Sequence, residues 1–539
     1  MKARRRRRLA FAAFVLTHLA GFAGAVAAAE PVPAIPPGTP VGAIHLRNLD
    51  VFDLTEPAED KLLFRLANQL HVETRPEVIE RQLLLRLGDP YSSEVVAESE
   101  RLLRANRYLY DAWIRPHLTS EGMVDLDVTT RDVWTLQGGI AWGRSGGTSA
   151  ATYKIEDINF LGLGKEVAAM RIGTVDRTSN LLRYRDPSFR GGRGELELSH
   201  SDNSDGGRDR LRFERPFYSL AARWAAGIDA FSDDRVLPLY QAGHVTDRFR
   251  SRRDFAEVYG GLSPGRREAG TARFRFGFTY ERSRFADAAG FSPATALPDA
   301  RTLAYPWIGV ESIRDGFVVE RDLDRLARSE DLNLGRELSL RLGISTPALG
   351  ADRRRLVGSA AFSQGFRPAP RALLLANLSA ATRYGREGTE NLLASGRIRL
   401  FARTHGEQLF YAALEGAVAR RLDRDQQLLL GGDSGLRGYP LRYQNGDRRF
   451  LLTLEQRFFT GWEPFHLAHV GAAVFFDAGE AWFAGARERR LLRDVGAGLR
   501  LGSSRSSRGA VVHLDVAFPL DRERSIASIQ WLVQTRETF

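Results

Sequence analysis

The 539-residue chain contains no cysteine. Disulfides, thiolate metal sites and cysteine nucleophiles are thereby excluded. A chain of this length can bury a core without disulfide staples, so the absence says little about compartment. Long apolar runs are scarce too. Beyond the N-terminal segment nothing approaches the ~20 residues of a membrane helix, and Val470–Phe476 is among the longest. That excludes helical spans but not a closed barrel, whose strands show only as alternation. Catalytic signatures are missing as well: there is no H-E-x-x-H, no phosphate loop and no paired-carboxylate constellation. His466 and His469 carry a metal-pair spacing only on a helix, and their segment reads as strand. "GAGLRLG" lacks the helix that a dinucleotide loop must open. An enzyme is not expected, nor is any metal or cofactor.

What is present begins with a tripartite start. Lys2 and Arg4–Arg8 precede an apolar stretch, Leu9–Val26, with small-residue cleavage sites at Ala25–Ala27 and Ala27–Ala29. A signal peptide over residues 1–29 is expected. Losing Lys2 and the five arginines lowers the formal net charge from +11 to +5, which calls for no nucleic-acid partner. Residues 30–40 read as a proline-rich linker. Residues 41–132 read as one small α+β domain. It comprises a strand at Ala43–Leu54 and a helix at Arg75–Leu87, apolar at Ile79, Leu83, Leu84 and Leu87. A second helix opens at Ser92, and strands at Tyr110–Leu118 and Met123–Thr129 follow.

From residue 133 to 539 helical periodicity gives way to short alternating segments. "VVHLDVAF" sets Val512, Leu514, Val516 and Phe518 against Val511, His513, Asp515 and Ala517; "DVGAGLRLG" repeats the pattern with Leu499 and Arg500 on opposite faces. Glycines and charges opposite an apolar face suit a barrel with lipid outside and a wet lumen. About sixteen antiparallel strands are expected, at ~25 residues per strand with its connection. "SIQWLVQTRETF" puts Ile529, Trp531, Val533 and Phe539 on one parity, an ending typical of outer-membrane barrels.

Several motifs then fall into order: "NFLGLGK" (Asn159–Lys165), "LRGYP" (Leu436–Pro440), "FFDAG" (Phe475–Gly479) and the terminal Phe539. Together they make the chain resemble the BamA/TamA superfamily of outer-membrane assembly and translocation proteins, of surface-antigen type. The resemblance implies periplasmic POTRA domains before a sixteen-stranded barrel. It also implies a long loop folded into the lumen, its tip at Arg437, Gly438 and Tyr439. There Arg437 would meet Asp477 and an acidic residue on the preceding strand. The chain departs from the pattern in showing one POTRA-like unit and in carrying Val51–Thr74 where a short loop belongs.

The loop itself, "LLLGGDSGLRGYP", raises a choice. Gly432-Asp433-Ser434-Gly435 looks like a chymotrypsin-type serine, but Leu436 stands where the oxyanion turn needs glycine, and no matching histidine precedes it. Asp433-Ser434-Gly435 reads as a turn. Arg437 reads better. In "RFLLTLEQRFF" alternation turns Leu451, Thr453, Glu455 and Arg457 inward, and in "VGAAVFFDAG" it turns Gly471, Ala473, Asp477 and Gly479 inward. Both carboxylates thus face the lumen by parity alone, and an arginine fork can take a carboxylate bidentately.

The function expected is a non-enzymatic outer-membrane factor that inserts proteins or translocates polypeptides. A weak seam between the first strand, with Gly138 and Gly139, and the last, with Trp531 and Phe539, would be its physical means. Its partners would be unfolded outer-membrane or secreted polypeptides and outer-membrane lipid, with room for a periplasmic or inner-membrane accessory protein. The small domain would lie in the periplasm. Rival readings are a passive outer-membrane pore or receptor, a two-partner-secretion-type transporter and a barrel-embedded enzyme.

Overall fold

Alternation builds most of this molecule. The structure, a computed structural model, describes residues 35–289, 296–506, 511–523 and 526–536. The expected signal peptide, part of the proline-rich linker and Phe539 lie outside the described residues. Among those residues twenty strands, from Leu136–Ser145 to Gln530–Arg536, close into one antiparallel barrel. Exposed apolar side chains such as Ile155, Leu182, Ile308, Leu342, Leu378 and Leu414 cover its outer face. Buried charges including Glu455, Arg457, Asp477, Arg500 and Asp515 line the lumen. An apolar outside around a charged inside is the division a bilayer imposes on a barrel.

The expected fold class is corrected on two counts. The barrel has twenty strands where about sixteen were expected, because many connections are far shorter than the estimate allowed. Gly146–Gly147, Ser204–Asp205, Ala242–Gly243 and Pro370–Arg371 are each a two-residue turn. The N-terminal unit likewise departs from the POTRA-like order of strand, helix, helix, strand, strand. It has three helices between its first two strands: β1 (Val41–Leu49), α1 (Leu62–Leu70), α2 (Pro76–Glu80), α3 (Ser93–Arg104), β2 (Leu109–Leu118) and β3 (Val124–Asp132). The sheet order is β1-β3-β2, with β1 parallel and β2 antiparallel to β3.

Local chemistry accounts for these elements. Ser92 caps α3, its hydroxyl accepting from Val95 N–H. Leu103 on α3 packs with Val124, Leu126 and Val128 of β3 in a single core. The helix expected over Arg75–Leu87 stops at Glu80. Beyond it Leu83 and Leu85 are both buried, and Leu84 N–H donates to Ser99 Oγ at 3.0 Å. That period of two suits an extended segment rather than a helix.

Two insertions enter the lumen from opposite ends. The end carrying the N-terminal unit, here the proximal end, sends in a hairpin of two short strands, Phe317–Arg321 and Ser329–Asn333. Leu323 near its tip is buried with the inward-facing Phe401, Leu409, Tyr411 and Ala413. The distal end sends in residues 421–447, between the strands Gln408–Arg420 and Arg448–Phe459.

Candidate functional site: the distal loop and the barrel closure

The distal loop is shaped by its own short hairpin, Leu428–Leu430 against Gln444–Gly446. Between these strands Leu430, Leu436 and Tyr439 are buried with Leu451, Leu492 and Ile526, so apolar packing drives the loop inward. Arg437 sits at its depth. Its Nε and Nη2 donate to the two oxygens of Asp477 at 2.7 and 2.9 Å, and Nη1 donates to Glu455 Oε1 at 2.8 Å. Asp515 Oδ2 lies 3.9 Å from Nη1, and the guanidinium stands 3.4 Å from the centre of the Phe475 ring. All three ion-pair partners are buried. Three charge-assisted hydrogen bonds and a ring face satisfy a cation that burial would otherwise make costly.

The next two residues complete the grip. Gly438 N–H donates to Asp494 Oδ2 at 3.1 Å. A side chain there would put Cβ 2.6 Å from Asp494 Cβ and 3.1 Å from Pro519 N, so only glycine fits this approach. Tyr439 OH donates to Arg493 O at 2.8 Å and accepts from Arg493 N–H at 3.2 Å. Ser434 does something different. Its Oγ donates to Gly431 O at 2.8 Å inside a 3-10 turn, a turn-closing bond that aims the hydroxyl proton at a carbonyl instead of a base.

The loop also reaches across the closure of the barrel. On the far side Leu441 packs on the turn joining the first two barrel strands. A Cβ on Gly146, whose φ is +53°, would clash with the Leu441 backbone. Arg442 forks onto Asp176, Nη1 to Oδ1 at 3.0 Å and Nη2 to Oδ2 at 2.9 Å, and Tyr240 OH donates to Asp176 Oδ1 at 2.5 Å. Burial raises the Asp176 carboxyl, but Arg442 and Tyr240 outweigh it and hold the group below its ordinary value. The distal loop is therefore fastened both to the strands before the closure and to the turns after it.

At the closure itself, the last and first strands share a single register pair among the described residues, Val533 with Arg144. The neighbouring pairs between consecutive strands are longer: seven between Val511–Pro519 and Gln530–Arg536, ten between Leu136–Ser145 and Thr148–Phe160. Gly138 and Gly139 lie nearer the proximal end of the first strand than this contact, with open space where side chains would be. Gly143 is closer, its Cβ position 3.2 Å from Val533 O. Trp531 is exposed on the outer face, and Phe539 lies outside the described residues. A cavity of about 810 Å³ adjoins the closure, lined by Arg144, Val533 and Arg536 on one side and by Ser434, Arg437 and Glu455 on the other.

Sequence reasoning missed Phe475, Asp494 and the Arg500–Asp515 pair as neighbours of the loop tip. Parity carries the signal, since all four side chains share the inward phase of their strands. Among the described residues no group of three or more histidine, aspartate or glutamate side chains is arranged to hold a metal.

No protein-family model matches the chain, and no curated protein does. Among solved structures it is similar to BamA from Haemophilus ducreyi lacking POTRA domains 1–3, at 14% identity and a TM-score of 0.40, covering 92% of this chain and 85% of that one. It is similar to CdiB from Acinetobacter baumannii at 12% identity and a TM-score of 0.45, covering 92% and 73%. It is also similar to the FrpB iron transporter from Neisseria meningitidis at 9% identity and a TM-score of 0.39, covering 80% and 88%. Three different proteins at such distances do not choose a function for this one.

Proposed function

We propose that the protein works in the outer membrane on client polypeptides, inserting barrel clients or translocating a secreted chain without nucleotide, metal or cofactor. The observation that carries this reading is the distal loop bridging the closure, which has one register pair among the described residues, with a cavity between them. A closure with few ladder bonds opens at low cost, and its open edges offer hydrogen-bonding groups to a client strand. The loop would govern that opening, because Arg437 holds one side of the closure and Arg442 the other. The N-terminal unit would receive clients and any accessory protein on the periplasmic side. A passive pore fits less well, since the lumen is entered by insertions from both ends.

The test exploits the absence of native cysteine. Arg144→Cys with Val533→Cys should form a crosslink that leaves the barrel heat-modifiable but abolishes complementation in depleted cells, read by outer-membrane and secreted proteomes. Full activity of the locked barrel would remove the seam from the mechanism. A proteome unaffected by depletion, with conductance retained, would favour the pore.

A further inference from the structure

We infer that α1 lies in the membrane surface, its leucine face in the inner leaflet beside the barrel closure; this rests on the outer-membrane reading above. Leu62, Leu66 and Leu70 follow each other at i, i+4 and i+8, and Leu63 flanks them on the same side. Leu62, Leu63 and Leu70 are 75%, 67% and 73% exposed. Such a stripe is normally turned into a core. Here the opposite side of the helix is the anchored one. Phe64 is buried in a stack on Phe52, ring centres 4.2 Å apart. Asn68 exchanges two hydrogen bonds with the Phe52 backbone, at 3.1 and 2.8 Å. His71, just after the helix, contacts Asp132 at 2.9 Å. The leucines therefore point outward because the helix is fixed that way.

The anchor fixes the place too. Glu59, just before α1, pairs with Arg505 in a proximal turn of the barrel. Trp134 N–H, immediately before the first barrel strand, donates to Arg505 O at 2.8 Å. Arg505 also lies 3.9 Å from Glu463 in the adjacent turn. That turn presents Trp462 and, 80% exposed, Phe465. Phe465 and His466 both hold positive φ, 57° and 56°, a conformation that costs bulky residues energy and persists where the surroundings impose it. The helix and the aromatic turn thus share one ion-pair hub on the barrel rim.

Lipid is the occupant this patch fits. Trp134, bonded to the Arg505 hub, lies two residues before Leu136, which with Ile155 belongs to the exposed apolar outer face. Aromatic residues at a barrel rim sit at headgroup depth. A nine-residue helix is about 13 Å long, too short to span a bilayer but long enough to lie in its interface. Lys61 lies over the Phe64 ring on the anchored side and Arg65 forks onto Asp60, so the leucine stripe itself carries no charge.

The experiment uses the full chain with one introduced cysteine, Leu66→Cys, carrying an environment-sensitive fluorophore. The protein is reconstituted in phosphatidylcholine–phosphatidylglycerol vesicles containing spin-labelled lipids. Quenching by a label near the headgroup, stronger than by one at the acyl terminus, and a blue-shifted emission are expected. Ile308→Cys on the outer barrel face serves as reference and should be quenched by the deep label. Adding Leu63→Ser and Leu70→Ser should abolish the shallow quenching while the barrel stays heat-modifiable. A water-exposed Leu66 probe beside a quenched Ile308 probe would overturn the inference. So would a shielded but unquenched one, which would mean a protein surface covers the helix. Loss of quenching at both positions would instead sink the outer-membrane reading.

Discussion

Replacing Arg437 by alanine should free the distal loop. The side chain makes three ionic hydrogen bonds of 2.7, 2.8 and 2.9 Å, all to buried carboxylates. An exposed pair would contribute ~0–1 kcal/mol, whereas removing one partner of a buried pair costs about 3–5 kcal/mol because the other charge stays behind. Glu455 keeps Arg457 at 2.9 Å, so the cost falls mainly on Asp477. The lower end, about 3 kcal/mol, is the expected figure. It shifts the loop's opening equilibrium roughly a hundredfold. Chymotrypsin reads this cleanly, since Leu428–Leu430 and Tyr443 supply sites that the substitution does not touch. When reclosing is faster than cleavage, the rate follows the open population. Cleavage within residues 421–447 should therefore rise roughly a hundredfold, with a parallel loss of activity. Arg437→Lys should fall between, keeping charge but losing the fork. Asp477→Ala should match Arg437→Ala, and the double mutant should be no worse than either. A cleavage rate unchanged by Arg437→Ala, or additive losses in the cycle, would refute the pinned loop.

Ser434→Ala removes one local bond to Gly431 O, so its cleavage rate should stay within the change expected for about 1 kcal/mol. Gly438→Ala should behave like Arg437→Ala in the same assay, because its Cβ meets Asp494 and the Pro519 backbone. Acid should loosen the far side of the loop. Asp176 is held below its ordinary value when folded, so its clamp is complete above the free carboxylate value of about 4 and is lost as pH falls through the folded value. Mobility of a spin label at Arg424→Cys should rise over that window, and Asp176→Asn should abolish the change by leaving the label mobile throughout. Replacing the hairpin tip 322–328 with a short glycine–serine link should raise single-channel conductance in planar bilayers, and an unchanged conductance would show that the hairpin does not obstruct the lumen.

Faces were legible in the sequence; neighbours were not. Alternation assigns Glu455 and Asp477 to one side of their strands with no knowledge of the fold, and both are in the lumen. Which inward residues meet depends on strand stagger, a property of the closed barrel. Glu455 pairs in register with Phe475, and Asp477 with Thr453; only an arginine entering from the loop brings the two carboxylates together. The strand count failed for a related reason. Two-residue turns such as Ala242–Gly243 leave no composition signal long enough to separate two strands from one. The seam's register was hidden in the same way, and Arg144 rather than Gly138 or Gly139 lies opposite Val533. The helix Leu62–Leu70 has plain helical spacing, but nothing local says that its leucines face outward. That follows from Phe52, Asn68 and Asp132 taking the other side. The proximal hairpin had no clear signal of its own, since Phe317–Asn333 mixes apolar and charged residues without sustained alternation.

Glu455 is where the two insertions meet. Its Oε1 accepts from Arg437 of the distal loop at 2.8 Å and its Oε2 from Arg457 at 2.9 Å. Arg457 also donates to Leu323 O of the proximal hairpin at 2.6 Å. The hairpin is tied in turn to the N-terminal unit. Arg104 of α3 forks onto Asp331 at 2.9 and 2.6 Å, Tyr110 OH donates to Ala327 O at 2.8 Å, and Ser329 Oγ donates to Asp111 Oδ2 at 2.8 Å. Continuity in space is not coupling in energy, but here the sign can be argued. Withdrawing the hairpin takes an acceptor from Arg457, and withdrawing the loop takes a donor from Glu455. Without Leu323 O, Arg457 would lean more on Glu455, and Glu455 would then lose less on parting with Arg437; the converse follows by linkage. Each insertion therefore stabilises the other. A force on the N-terminal unit that drew the hairpin out would lower the cost of releasing Arg437 at the opposite end of the barrel.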